Sequence, residues 1–193
     1  MTHQVRPSDE ELWSSIVAGD ETAFGQLFDR HSRAVYNHAF RLTGSWSTAE
    51  DVTQATFLVA WRRRNDARLV AGSALPWLLV VATNAVRSEW RSARRWLALL
   101  HRVPAVDHAD GDLAEEVAAR LDDERRMNAL LAVVRRLSPA EREAVALCLW
   151  SGLPYPDAAA VLGISEASVR SRVSRARSRL ARLLPAEIQE AKR

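Results

Sequence analysis

Residues 155–180 read YPDAAAVLGISEASVRSRVSRARSRL, two helical patterns hinged on a glycine. Ala159 is small where two short helices must cross closely, Gly163 suits the turn between them, and Ile164 is placed to plug the junction. On the second pattern Val169, Val173, Ala176 and Leu180 recur at helical spacing and define a buried stripe. At about 100° per residue, Ser171, Ser174, Arg175, Ser178 and Arg182 fall on the opposite side, with Arg170 at the flank. A buried stripe backed by serine and arginine is what a helix reading the DNA major groove requires, so this stretch is expected to be a helix-turn-helix. The arginines between 170 and 182 stand against a single acid, Glu166, so a helix stitched by acid–arginine pairs four residues apart is not expected.

Working outward, the same helical punctuation recurs. Ser138-Pro139-Ala140-Glu141 combines a capping box with proline in the first turn and opens a helix that stops at Gly152. Ser8 to Glu11 reads as a capping box, Asp20 as the cap of a long amphipathic helix ending at Gly44, and Ser47 to Glu50 as the start of a helix to about Arg64. Ser73 is placed to cap a helix running to roughly Leu97. Between these groups, Leu99 to Glu124 carries eight acids against Arg102 and Arg120, with Pro104 and Gly111 inside, which reads as an acidic linker whose later part has a helical pattern. The expected fold is all-α: a first helical domain over 8–98, the linker over 99–124, and a second helical domain with the helix-turn-helix over 125–184.

Composition narrows the function. Apolar residues make up 48% of the 193 and charged residues 26%, the balance of a soluble globular chain, with a formal net charge of +3. Lys192 is the only lysine; the basic charge is arginine, whose planar fork suits phosphate and guanine edges. Cys148 is the only cysteine and lies in an apolar run, which points to a buried thiol in a reducing cytoplasm. The longest apolar stretch, Leu75 to Val86, is interrupted by Pro76, Thr83 and Asn84 and is too short to cross a membrane. His3, His31, His38, His101 and His108 are scattered, without metal-ligand spacing or a nucleophile–base pair. Asp107 to Asp112 lacks the alternating oxygen ligands of a calcium loop and reads as plain linker. No enzyme chemistry, metal or cofactor is expected.

Two faces in the first half carry signals. On the helix from Ser73, Leu79, Ala82, Val86, Trp90 and Leu97 share an apolar side, while Asn84, Arg87, Ser88, Arg91 and Arg95 share another. That basic stripe with an amide and a hydroxyl suits a nucleic-acid backbone and a few base edges, with Trp77 nearby as a stacking surface. The helix Thr48 to Arg64 begins acidic (Glu50, Asp51), which is unsuited to DNA and suits a protein partner.

These residues resemble the extracytoplasmic-function (ECF) family of RNA polymerase sigma factors from about Glu11 to Leu184. Ala49 to Trp61 looks like the family's polymerase-binding segment, Leu75 to Asn84 like its promoter-melting segment, and Leu137 to Arg142 with Gly163 to Arg177 like its fourth conserved region. The resemblance implies that Asp51, Gln54 and Phe57 face the clamp helices of the polymerase core. It places Trp77, Asn84, Arg87, Ser88 and Arg91 at the melted minus-ten element of promoter DNA. Arg170, Ser171, Ser174, Arg175 and Arg182 fall to the minus-thirty-five duplex. It also implies a cytoplasmic protein; members are commonly held by an anti-sigma factor. Ala55 stands where the family usually has glutamate, and Leu69 to Ala74 replaces the aromatic and acidic residues of the loop that captures a flipped base. The alternative, a self-standing helix-turn-helix regulator, leaves the basic stripe of the first half unexplained.

Overall fold

The computed structural model describes residues 7–99 and 114–183, with side chains over 7–88 and 124–183; the centre of the expected linker, Leu184 and the side chain of Arg91 lie outside these described residues. Among them every regular element is a helix, and one isolated bridge joins Val70 to Ser73. Helix α1 (Asp9–Val17) starts on the expected capping box: the Ser8 hydroxyl accepts from Glu11 N–H at 3.2 Å while Ser8 N–H donates to the Glu11 carboxylate at 2.7 Å. Helix α2 (Glu21–Thr43) starts on Asp20, whose Oδ1 accepts from Thr22 and Ala23 N–H at 2.8 and 3.1 Å. Each such cap contributes about 1 kcal/mol.

Helix α3 (Trp46–Arg62) begins one residue before Ser47, the serine expected to cap it. The cap is Ser45, and the N–H of Trp46 donates to Glu124 Oε1 at 2.9 Å, an acceptor 78 residues away in sequence. Helix α4 (Leu75–Leu99) follows a turn at 70–73. Helix α5 (Ala114–Val134) crosses the expected linker boundary at 124/125 without a break. Its Asn128 donates to the Gly44 carbonyl at 3.3 Å, and a Cβ on Gly44 would meet Asn128 Oδ1 at 2.7 Å, so the left-handed glycine ending α2 is also what lets α5 dock. Helix α6 (Pro139–Ala144) has both bonds of its capping box and continues as a π-helical stretch over Val145–Trp150; α7 (Tyr155–Leu162) and α8 (Glu166–Leu183) complete the chain.

The first half packs Leu12, Trp13, Ile16, Leu27, Val35, Val52, Leu78, Ala82 and Val86 into one core. The second half packs Leu147, Cys148, Ala158, Ala159, Val169 and Val173 into another. The two interlock. Leu79 of α4 is buried in the second cluster, and Ala146 of the π-helical stretch is buried in the first.

His38 sits in this seam, 1% exposed, with Nδ1 2.7 Å from Ser151 Oγ and Nε2 2.9 Å from Thr83 Oγ1. Thr83 Oγ1 already donates to the Leu79 carbonyl at 2.9 Å, so it accepts from His38 Nε2–H, and Nδ1 accepts from the Ser151 hydroxyl. The neutral ring is therefore fully satisfied. Burial, reinforced by the positive Arg41 beside it, pushes its pKa down to about 4. The exposed histidine would titrate near 6.5, so the opened chain binds more protons between those values. The stabilisation is full above 6.5 and is lost as pH falls towards 4. Stability should fall by about 2 kcal/mol between pH 7 and pH 5. Urea denaturation at the two pH values should show the loss, and the His38→Asn protein, weaker at pH 7, should lack most of the slope.

Candidate nucleic-acid interface

The turn before α8 is built as the sequence predicts: Gly163 is left-handed at φ 65°, and Ile164 N–H donates to the Ala159 carbonyl at 3.1 Å. Ser165 Oγ then accepts from Ser168 N–H at 3.2 Å, giving the helix a side-chain cap. Val169 and Val173 are buried against α6 and α7, and Ala176 against Val134, Leu137 and Val145, which leaves Arg170, Ser171, Ser174, Arg175 and Arg182 exposed. Ala167, Ser168, Ser171, Arg172 and Arg175 line an open polar hollow of about 410 Å³ along this face.

The arginines are more paired than the sequence suggests. Arg170 reaches Glu166, four residues before it, at 2.6 Å, so the expectation of no such pair fails there. The remaining partners come from a neighbouring helix, which spacing along α8 does not reveal. Glu141 of α6 takes Arg179 at 2.9 Å and lies 4.0 Å from Arg175 Nε; Glu143 lies 4.0 Å from Arg172 and takes Arg87 of α4 at 3.2 Å. Glu143 thus stands between Arg172 of α8 and Arg87, one of the residues expected at DNA on α4. The N–H of Ser138, then its hydroxyl and Arg179 and Arg175, hold the Glu141 carboxyl below the ordinary carboxylate range against the opposing effect of burial.

On α4, Asn84 and Ser88 are exposed side by side, while Arg87 turns towards the second half through Glu143. Trp77 is half-buried, edge-on to Trp13 at 5.7 Å between ring centres, and packs against the first core rather than standing free as a stacking platform.

On α3, Asp51 and Gln54 are exposed as expected, but Phe57 is 3% exposed and packs against Phe24 and Phe28, so it does not itself present a surface. The aromatic that reaches solvent is Phe28 of α2, 40% exposed and 4.7 Å from the Phe57 ring. With Ser32, Arg33, Tyr36, Glu50, Thr53 and Gln54 it lines a hollow of about 340 Å³ between α2 and α3. The signal for it was the adjacent pair Leu27-Phe28: at about 100° apart, one of two apolar neighbours falls at the edge of the buried stripe.

Residues 27–96 match the family described as Sigma-70 region 2, and residues 127–180 the family described as Sigma-70, region 4. The ECF RNA polymerase sigma factor SigM of Mycobacterium tuberculosis is 36% identical over 181 residues, spanning 92% of this chain and 85% of that one. The solved structure of CnrH in complex with the cytosolic domain of CnrY aligns with a TM-score of 0.67 at 30% identity, over 93% of this chain and 99% of CnrH. That of the sigma factor RpoE with the anti-sigma factor NepR from Bartonella quintana aligns with a TM-score of 0.59 at 30% identity, over 83% and 95% of the two chains.

Glu141 caps α6 and also holds Arg179, and two substitutions separate these roles. Glu141→Gln keeps a third-position amide able to close the capping box and removes the charge; Glu141→Ala removes both. In urea denaturation the glutamine variant should lose about 1 kcal/mol and the alanine variant about 1 kcal/mol more.

Proposed function

The chain belongs to the extracytoplasmic-function (ECF) class of RNA polymerase sigma factors, and on that footing we propose how its surfaces divide the work of starting transcription. The α2–α3 hollow with Asp51, Gln54 and Phe28 docks on the clamp helices of the polymerase core. The α4 face with Asn84, Arg87, Ser88 and Arg91 meets the melted minus-ten strand, with Trp77 supporting it from within. Arg170, Ser171, Ser174, Arg175 and Arg182 on α8 read the minus-thirty-five element as duplex. The observation that carries this reading is α8 itself: a capped helix, buried along one stripe, whose opposite side is serine and arginine. The protein acts in the cytoplasm with the polymerase and performs no catalysis of its own.

The two DNA elements lie about 25 base pairs apart, roughly 85 Å at 3.4 Å per pair, whereas the two halves are in contact and share Glu143. The compact form is therefore the unloaded one, and binding to core polymerase separates the halves. RpoE has been solved with an anti-sigma factor, and a partner of that kind holds this chain in its compact form.

Run-off transcription with core polymerase on a library of promoter fragments tests the whole reading. Asp51→Arg should abolish core binding and transcription while leaving helicity and thermal stability unchanged, since Asp51 is exposed. Wild-type transcription from that protein would remove α3 from the polymerase interface. With the promoter in hand, Arg175→Ala in the holoenzyme should cost about 1–3 kcal/mol and relax preference at one base pair. Arg182→Ala should instead weaken binding to all sequences and lower the salt slope by roughly one unit.

A further inference from the structure

The first residue of α1 is a buried aspartate whose carboxylate serves other elements. Asp9 is 6% exposed. Its Oδ1 accepts from Arg30 at 2.6 Å, and its Oδ2 accepts from His31 Nε2 at 2.7 Å, the Ser73 hydroxyl at 3.2 Å and the backbone N–H of Ala74 at 2.8 Å. Ala74 directly precedes α4, so its N–H is one of the free donors at a helix start, and the residue that satisfies it lies 65 positions away. Ser73 passes the arrangement on: its hydroxyl also accepts from Leu75 N–H at 3.2 Å. Asp9 is thus a helix cap supplied from another helix. Burial opposes its charge, but the Ala74 N–H, Arg30 and His31 outweigh it and hold the carboxyl below its ordinary range.

The segment held in this way is under strain. Val70 and Ser73 exchange both backbone hydrogen bonds at 3.0 Å, with Ala71 at φ 50° and Gly72 at φ 73° between them. Two left-handed central residues are the mark of a type I′ turn, and alanine in that region costs about 1–2 kcal/mol. Such a conformation persists where surrounding contacts over-determine it, and here they come from α1, whose Asp9 is in turn held by Arg30 and His31 of α2. A Cβ on Gly72 would lie 3.5 Å from the Glu10 carboxylate, so α1 also covers the tip. None of these contacts belongs to the apolar packing of α1, which rests on Leu12, Trp13 and Ile16.

We propose that Asp9, braced by Arg30 and His31, is a positioning residue for strand recognition: it sets the 70–73 turn and the start of α4, and thereby the surface that meets the melted minus-ten strand. This rests on the reading of α4 given above. Asp9 touches no DNA itself; it fixes the geometry of the elements that do. Losing it should leave the α2–α3 hollow and α8 intact while the strand-reading surface loses its register.

The experiment uses holoenzyme assembled from the full chain and core polymerase. Single-stranded oligonucleotides randomised over the minus-ten positions first give the preferred strand, which is then titrated against wild type, Asp9→Asn, Ser73→Ala and Asn84→Ala. Asp9→Asn keeps the shape of the side chain and removes its charge. It should bind core polymerase and minus-thirty-five duplex as wild type does, bind the preferred strand about tenfold more weakly, and discriminate less between bases. Ser73→Ala should show a smaller loss of the same kind. Wild-type strand affinity and base preference in Asp9→Asn, with Asn84→Ala impaired, overturn the positioning role and spare the reading of α4. Unchanged binding in both overturns the reading of α4, and the proposal with it. Equal losses of core, duplex and strand binding in Asp9→Asn overturn it in favour of a purely structural role.

Discussion

Free N–H groups at helix starts are the constraint on which the rest of this structure depends. An all-helical chain leaves up to four such donors at each helix, and they need acceptors. Ser8, Asp20 and Ser138 answer this locally, within three residues. Three other acceptors reach further. Glu124 takes the N–H of Trp46, Asp9 takes that of Ala74, and Glu141, while closing its own capping box, holds Arg179 of α8. Each of these carboxylates does two things with one charge: it starts a helix and ties that helix to another. The bonds that make helices therefore also set the angles between α1, α3, α4, α5, α6 and α8.

This distinction separates what was legible in the sequence from what was not. Local caps were readable because capping boxes leave a fixed spacing, and the helix order, the buried stripe of α8 and the glycine turn at 163 follow from residue type and period alone. The start of α3 was misplaced because Ser47, with Glu50 three residues on, fits the capping-box spacing and Ser45 does not, and the acceptor for Trp46 lies 78 residues on. The helical pattern expected in the later part of the linker is present from Ala114, but acid content did not show that Glu124 is put to use as a cap. Composition counts charges; it does not say which are spent on backbone donors.

The same limit applies to the site residues. Spacing on α8 placed Ser171, Ser174 and Arg175 on an open face, because exposure follows from the buried stripe opposite. On α3 it was the family resemblance that pointed to Asp51 and Gln54, which are exposed, and to Phe57, which is a core residue. Spacing missed Phe28, because an aromatic at the edge of an apolar stripe looks the same in sequence whether it turns in or out. It also overstated the free positive charge of α8. Glu141 and Glu143 reduce it from across a helix–helix contact, while Arg170, Arg175 and Arg182 stay exposed.

Under the proposed function the seam between the halves opens, and much of its bonding is polar. Its apolar part joins Leu75, Leu79 and Val80 of α4 to the second cluster, and Met127, Ala146 and Trp150 to the first. Around these lie groups that water can also satisfy: His38 with Ser151 and Thr83, Arg41 with the Trp150 carbonyl, and Arg87 with Glu143. A hydrophobic seam of the same extent would lose its burial energy on opening with nothing to replace it. A polar one exchanges protein hydrogen bonds for water at a net cost of roughly 0.5–1.5 kcal/mol each. Separation breaks the Arg87–Glu143 pair, while Arg172, in the same half as Glu143, keeps its place beside it. Under the proposed reading of α4, opening and the freeing of Arg87 for nucleic acid are then coupled through one carboxylate.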